Sequence, residues 1–180
     1  MKGIVFTEFL EMVENKFDYD TVDKIINNSN LESKGIYTSI GTYDHNEMVQ
    51  LVGNLSKETE IPVSKLLNTY GQYLFNTFHK GYPEFFSRSA DAFSFLESIE
   101  EHIHVEVKKL YPDAQLPTFE TERIGDNVFE MVYKSKRAMS DFAEGLIEKT
   151  LVYYQTEADI QKEAVEADGS VVKFTITKND

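Results

Sequence analysis

The sequence predicts an α+β fold, with an N-terminal helical layer packed on a C-terminal part made of a small, mostly antiparallel sheet and further helices. Three observations point to it. Apolar residues recur at three- and four-residue spacing from the start to about Leu110, and short strand-like runs take over beyond that point. No repeat, low-complexity tract or Pro/Gly/Ser linker divides the 180 residues. A single domain over residues 1–180 follows, helical over about 1–60 and carrying the sheet within about 61–180.

Ile4, Val5, Phe9, Met12, Val13, Lys16 and Phe17 share one face of an amphipathic first helix. Asp20 is the expected cap of a short second helix carrying Val22, Ile25 and Ile26, and Asn27 to Asn30 mark a turn. Asp44 opens a third helix with Met48, Leu51, Val52 and Leu55. Glu60-Ile61-Pro62 ends it and starts a fourth, with Val63, Leu66, Leu67, Tyr70, Leu74 and Phe78 inward. Gly81-Tyr82-Pro83 breaks that helix ahead of a Phe85-Phe86 pair. One long helix is expected from Ser89 or Asp91 to Leu110, on a stripe of Ala92, Leu96, Ile99, Ile103, Val107 and Leu110, stopped by Pro112. Leu116 to Phe119 and Val128 to Ser135 read as strands, and Ser140 as the cap of a last helix through Tyr154. Closing strands at about 155–164 and 171–177 flank an Asp168-Gly169 hairpin turn.

Composition narrows the function. With 18 Lys+Arg against 31 Asp+Glu the net charge is −13, which opposes binding to duplex nucleic acid or anionic lipid. No cysteine is present, which removes disulfides, thiolate metal sites, covalent c-type haem attachment and cysteine nucleophiles together. Glu8, Glu11 and Glu14 interrupt the first apolar stretch, unlike a signal peptide, and no apolar run approaches the ~20 residues of a membrane span. A cytoplasmic protein with no membrane association is expected. Phosphate loops, dinucleotide-binding glycine patterns, nucleophile elbows and HExxH are missing from the sequence.

Two local patterns carry chemistry. Tyr133, Ser135 and Arg137 would share one face of a strand and offer a phenol, a hydroxyl and a guanidinium fork suited to carboxylate or phosphate. By spacing alone, an edge strand with solvent-facing polar residues is the favoured reading. His102 and His104 flank Ile103; at ~100° per residue they fall on opposite edges of the apolar stripe and cannot share one metal. Either could be a single ligand, but local pattern alone favours two boundary histidines on an amphipathic helix. His45 is expected in solvent at a helix start, and His79 at a helix end where a protonated ring suits the dipole.

Met1-Lys2-Gly3-Ile4-Val5, the stretch His104 to Pro117, and Tyr133/Ser135/Arg137 together resemble the H-NOX (haem-nitric oxide/oxygen binding) family, in order and separation along nearly the whole chain. The resemblance implies noncovalent haem b (iron protoporphyrin IX) buried between the two parts, with His104 as iron ligand. It implies that Tyr133, Ser135 and Arg137 hold the haem propionates, that Pro117 presses on the porphyrin, and that Val5, Phe9 and Leu146, with Leu74 and Phe78, form apolar walls. Relatives that hold O₂ carry a distal tyrosine where this chain has Phe142, which has no hydroxyl to donate. The resemblance therefore implies a sensor of NO, and of CO more weakly, that weakens its histidine–iron bond and signals to a separate histidine kinase or cyclic-di-GMP enzyme. A haem enzyme of peroxidase or NO dioxygenase type would need a distal acid–base group in place of Phe142. A haem-free helical adaptor would use the same histidines and aromatics for packing alone.

Overall fold

Three helices form from the first sixty residues: α1 (Gly3–Lys16), α2 (Tyr19–Asn27) and α3 (His45–Thr59). In the computed structural model, which describes residues 1–179, α4 (Val63–Gly81) and α5 (Pro83–Ser87) follow, then α6 (Ala92–Ser98). A π turn (Ile99–Ile103) joins α6 to α7 (His104–Leu110). Strands β1 (Thr118–Ile124) and β2 (Val128–Lys134), helix α8 (Ser140–Tyr153), and strands β3 (Ala158–Ala164) and β4 (Val171–Lys178) complete the chain. The sheet is antiparallel throughout, in the order β1-β2-β4-β3. The α+β class is as the sequence predicts.

Caps decide several boundaries. Asp44 accepts from Asn46 N–H (2.7 Å) at the start of α3, and Asp91 from Ser94 N–H (2.8 Å) at the start of α6. At α2 the cap is Asp18, which accepts from Thr21 N–H at 2.7 Å; Asp20 lies inside the first turn. Only an extended residue can fold its side chain back onto free helical N–H groups, and Asp18 is the extended one. Ser140 is likewise the first helical residue of α8 rather than its cap. Left-handed Ala138 (φ 49°) turns the chain there, and Met139 N–H is taken by the Tyr133 hydroxyl (3.0 Å).

Three apolar clusters hold the layers together. Phe6, Phe9, Met12, Leu51, Leu55 and Tyr70 pack α1 to α4. The inward faces of β2 (Phe129, Met131, Tyr133) and β4 (Val172, Phe174, Ile176) meet Phe93 and Leu96 of α6 and Ile147 and Leu151 of α8. Phe75, Phe86 and Phe95 bridge the two. Helices α4 and α8 cross at contact distance because neither carries a side chain there: a Cβ on Gly71 would lie 2.2 Å from Phe142 O, and one on Gly145 2.0 Å from Asn68 O.

Glu47, only 5 % exposed, clasps the 31–37 segment onto α3. It accepts from Ser33 N–H (3.1 Å), Ser33 Oγ (2.5 Å) and Tyr37 Oη (2.6 Å). Burial pushes its carboxyl pKa up, but these bonds to the charged form outweigh it and hold the pKa below the ordinary value. A depressed folded-state pKa contributes stability above the ordinary glutamate value of about 4.3, and that contribution is lost as pH falls through the folded-state value. Glu47→Gln is expected to lower stability by about 1–3 kcal/mol at neutral pH. In urea titrations the gap to the wild type closes in the acid range; a gap independent of pH would contradict the charge-based account.

Candidate functional site

The long helix expected up to Leu110 is interrupted. Within the π turn the His104 N–H reaches back to Ile99 O, one residue further than an α-helix allows, and this re-aims everything after it. His104 lines a cavity with its side chain 12 % exposed, whereas His102 is exposed and Leu110, expected inward, is 58 % exposed. A one-residue insertion of this kind leaves no mark in the apolar spacing.

The His104 imidazole is neighboured by Glu100, whose Oε2 accepts from Nδ1 at 3.1 Å, and by the Phe119 ring at 5.8 Å between centroids. Donation from Nδ1 leaves the Nε2 lone pair available to a metal. Burial pushes the imidazole pKa down, against the opposing pull of Glu100, and keeps the ring in its neutral, ligating form. Among the described residues no three His, Asp or Glu side chains gather as a metal group. The donor set therefore suits a metal that brings its other ligands with it.

The cavity measures about 290 Å³, near the lower end of the roughly 300–1,000 Å³ usual for ligand sites, and is apolar over most of its wall. Val5 of α1, Leu74 and Phe78 of α4, and Phe142 and Leu146 of α8 meet Ile103, His104 and Val107 across it. Leu116 and Pro117, on the approach to β1, complete that side. Phe9 does not join them: it lies fully buried one turn further along α1, edge-on to Tyr70 at 5.3 Å, and serves the helical core.

Polar groups gather at one end. Tyr133 sits on β2, but the strand stops at Lys134, so Ser135 and Arg137 belong to the following turn and do not share a strand face with it. The turn brings them to the cavity all the same. Ser135 N–H donates to Ser170 O (2.8 Å), and Ser135 Oγ accepts from Arg137 N–H (3.2 Å). The Arg137 guanidinium is steered by Gln115, donating to its O at 2.7 Å and Oε1 at 3.4 Å. Its pKa is lowered by burial, and no carboxylate of the described residues pairs with it. A partly buried guanidinium without an acidic partner fits the carboxylates of a cofactor such as haem. Gln115 had no local signal, since 22 residues separate it from Arg137.

Of the remaining histidines, His79 lies at a helix end as expected and His45 does not match expectation. His45 is not in solvent: its Nε2 is buried without a hydrogen-bond partner, beside Met1 and Arg137. His79 closes α4 with its ring against Phe75, Phe86 and Tyr153. At the N-terminus, Gly3 explains the opening motif: its N–H donates to Gly41 O (2.8 Å), and a Cβ would meet Thr38 O at 1.8 Å. Only glycine lets the 38–43 loop close over the start of α1 and set Val5 at the cavity wall.

The haem-NO-binding family model matches residues 2–162. Among solved structures, the Fe(II) unliganded H-NOX protein from K. algicida is 50 % identical, covering 100 % of this chain and 97 % of that one at a TM-score of 0.96. The IWP-051-bound H-NOX from Shewanella woodyi in the Fe(II)CO state is 40 % identical, covering 99 % and 95 % at a TM-score of 0.84. No curated protein sequence matches the chain. An inward imidazole and an acid-free guanidinium on one cavity, within this fold and this family match, lead to one conclusion: the chain belongs to the haem-NO-binding (H-NOX) family, whose members are haem-based gas sensors.

Proposed function

We propose that the protein is a cytoplasmic NO sensor built on haem b, with His104 as the protein's iron ligand. Haem would supply a ferrous iron able to take NO or CO as a diatomic ligand. Tyr133, Ser135 and Arg137 would hold the propionates, and Pro117 would press on the ring from the approach to β1. The observation that carries this is the convergence of His104 and the unpaired Arg137 on one apolar cavity. The solved relative from Shewanella woodyi, named in its Fe(II)CO state, supports CO as a second ligand.

Selectivity rests on the wall opposite His104. Phe142 brings no proton donor, and Tyr70, whose ring lies 5.2 Å from that of Phe142, donates its hydroxyl to Val5 O at 2.5 Å. The Thr150 hydroxyl is likewise committed, to Leu146 O at 2.8 Å. With neither of these hydroxyls free beside Phe142, the partial negative charge of a bound O₂ gains no stabilisation from that wall, whereas NO needs none. Release of His104 would then free α7 and the approach to β1 to shift against α1 and α4, biasing two packed states that a separate partner can read. A histidine kinase or a cyclic-di-GMP enzyme is the proposed partner.

Absorption spectra of the reduced, haem-loaded protein test this. In air the spectrum should stay that of unligated ferrous haem, and NO should convert it; a persistent O₂ complex, or failure to take up haem on titration, would refute the proposal. Phe142→Tyr should place a phenol on the wall and slow O₂ dissociation by up to about tenfold, the worth of one hydrogen bond. Flash photolysis of the variant checks it.

A further inference from the structure

We propose that Glu100 is the positioning residue for His104 and that one of its oxygens ties the imidazole to strand β1. This rests on His104 being the iron ligand. Glu100 Oε2 accepts two hydrogen bonds at once, from His104 Nδ1 (3.1 Å) and from Phe119 N–H (3.1 Å). The two donors come from different elements, α7 and β1, and converge on a carboxylate held in the π turn that precedes α7. An ordinary four-residue helical ion pair would leave the carboxylate's remaining capacity to solvent. Here the second bond goes to the backbone of the strand whose approach contains Pro117 and whose residue Phe119 pairs across the sheet with Tyr133.

Two consequences follow from the shared oxygen. A carboxylate accepting from Nδ1 fixes the tautomer and the ring orientation and makes Nε2 a stronger donor to a metal. It also couples the imidazole to the sheet, because the two donors compete for one oxygen: when the imidazole turns away, Phe119 N–H keeps the whole acceptor. Motion of His104 is thereby registered at the first residues of β1, beside both Pro117 and Tyr133.

The test uses the haem-loaded protein with Glu100→Gln, which keeps an acceptor and removes the charge, and Glu100→Ala, which removes both. Resonance Raman spectra of the ferrous state should show the iron–imidazole stretch moving to lower frequency in both variants. Haem loss to a scavenger should accelerate by about tenfold in Glu100→Ala, the usual scale for a ligand's hydrogen-bond partner. Hydrogen exchange of the peptide containing Phe119 should speed up in Glu100→Ala and less in Glu100→Gln. An unshifted stretch in two folded, haem-loaded variants overturns the proposal. His104→Gly separates the two levels: if that variant loses the stretch while the Glu100 variants leave it unmoved, only the role of Glu100 fails. If His104→Gly keeps the stretch, the ligand assignment itself fails.

Discussion

Replacing His104 with glycine is expected to abolish the iron–imidazole bond of the ferrous protein, and His102→Gly to leave it intact. The two residues are separated by one position yet differ in environment. His104 lines the cavity with its Nε2 uncommitted, while His102 is exposed on the π turn. None of the other histidines can substitute: His79 is packed among Phe75, Phe86 and Tyr153, and His45 lies beside the polar end near Arg137. If the imidazole contributes about 3 kcal/mol to holding haem, its loss speeds haem release roughly 100-fold. Added imidazole should refill the space left by the ring and restore the ligated spectrum. Loss of the bond in His102→Gly instead would overturn the assignment of His104 as the iron ligand.

The second large effect is expected from Gly145→Ala. The new methyl carbon would lie 2.0 Å from Asn68 O and 3.1 Å from Asn68 Cα, both backbone atoms of α4 that cannot rotate away. Helices α4 and α8 must separate, at the cost of about 1–3 kcal/mol typical of an overpacked core. For a domain of this size that lowers the melting temperature by roughly 2–12 °C. Because Phe142 and Leu146 flank Gly145 on α8 and both line the cavity, the separation should also alter the kinetics of CO rebinding. A variant as stable as the wild type, with unaltered rebinding, would show that the crossing is looser than its geometry implies.

Much of the helical layer was legible because its information is local. Periodic apolar residues at 3–17, 48–55 and 63–78 become α1, α3 and α4, and Asp44 and Asp91 act as caps as their type suggests. The Asp168-Gly169 turn was equally readable: Gly169 adopts φ 74° and Asp168 accepts from Ser170 N–H at 2.9 Å. Strand β1 was largely missed. Beyond Phe119 it runs through Glu120, Thr121, Glu122 and Arg123, an edge strand exposed along most of its length, so nothing apolar marks it. Its start also moved past Pro117, which has no N–H to give to a ladder.

By itself the chain of residues determined the chemistry on offer: a thiol-free, acidic, α+β protein with few imidazoles and three arginines. Only the tertiary structure decided how those groups are used. The π turn brought His104 and not His102 to the cavity, the turn after β2 carried Ser135 and Arg137 there without a strand, and Phe9 was turned into the helical core. The reason is the range of the interactions. A cap or an apolar stripe is decided within a few residues, whereas a cavity exists only where α1, α4, α7 and α8 pack against one another, and its lining depends on rotations of a single residue that no local pattern records.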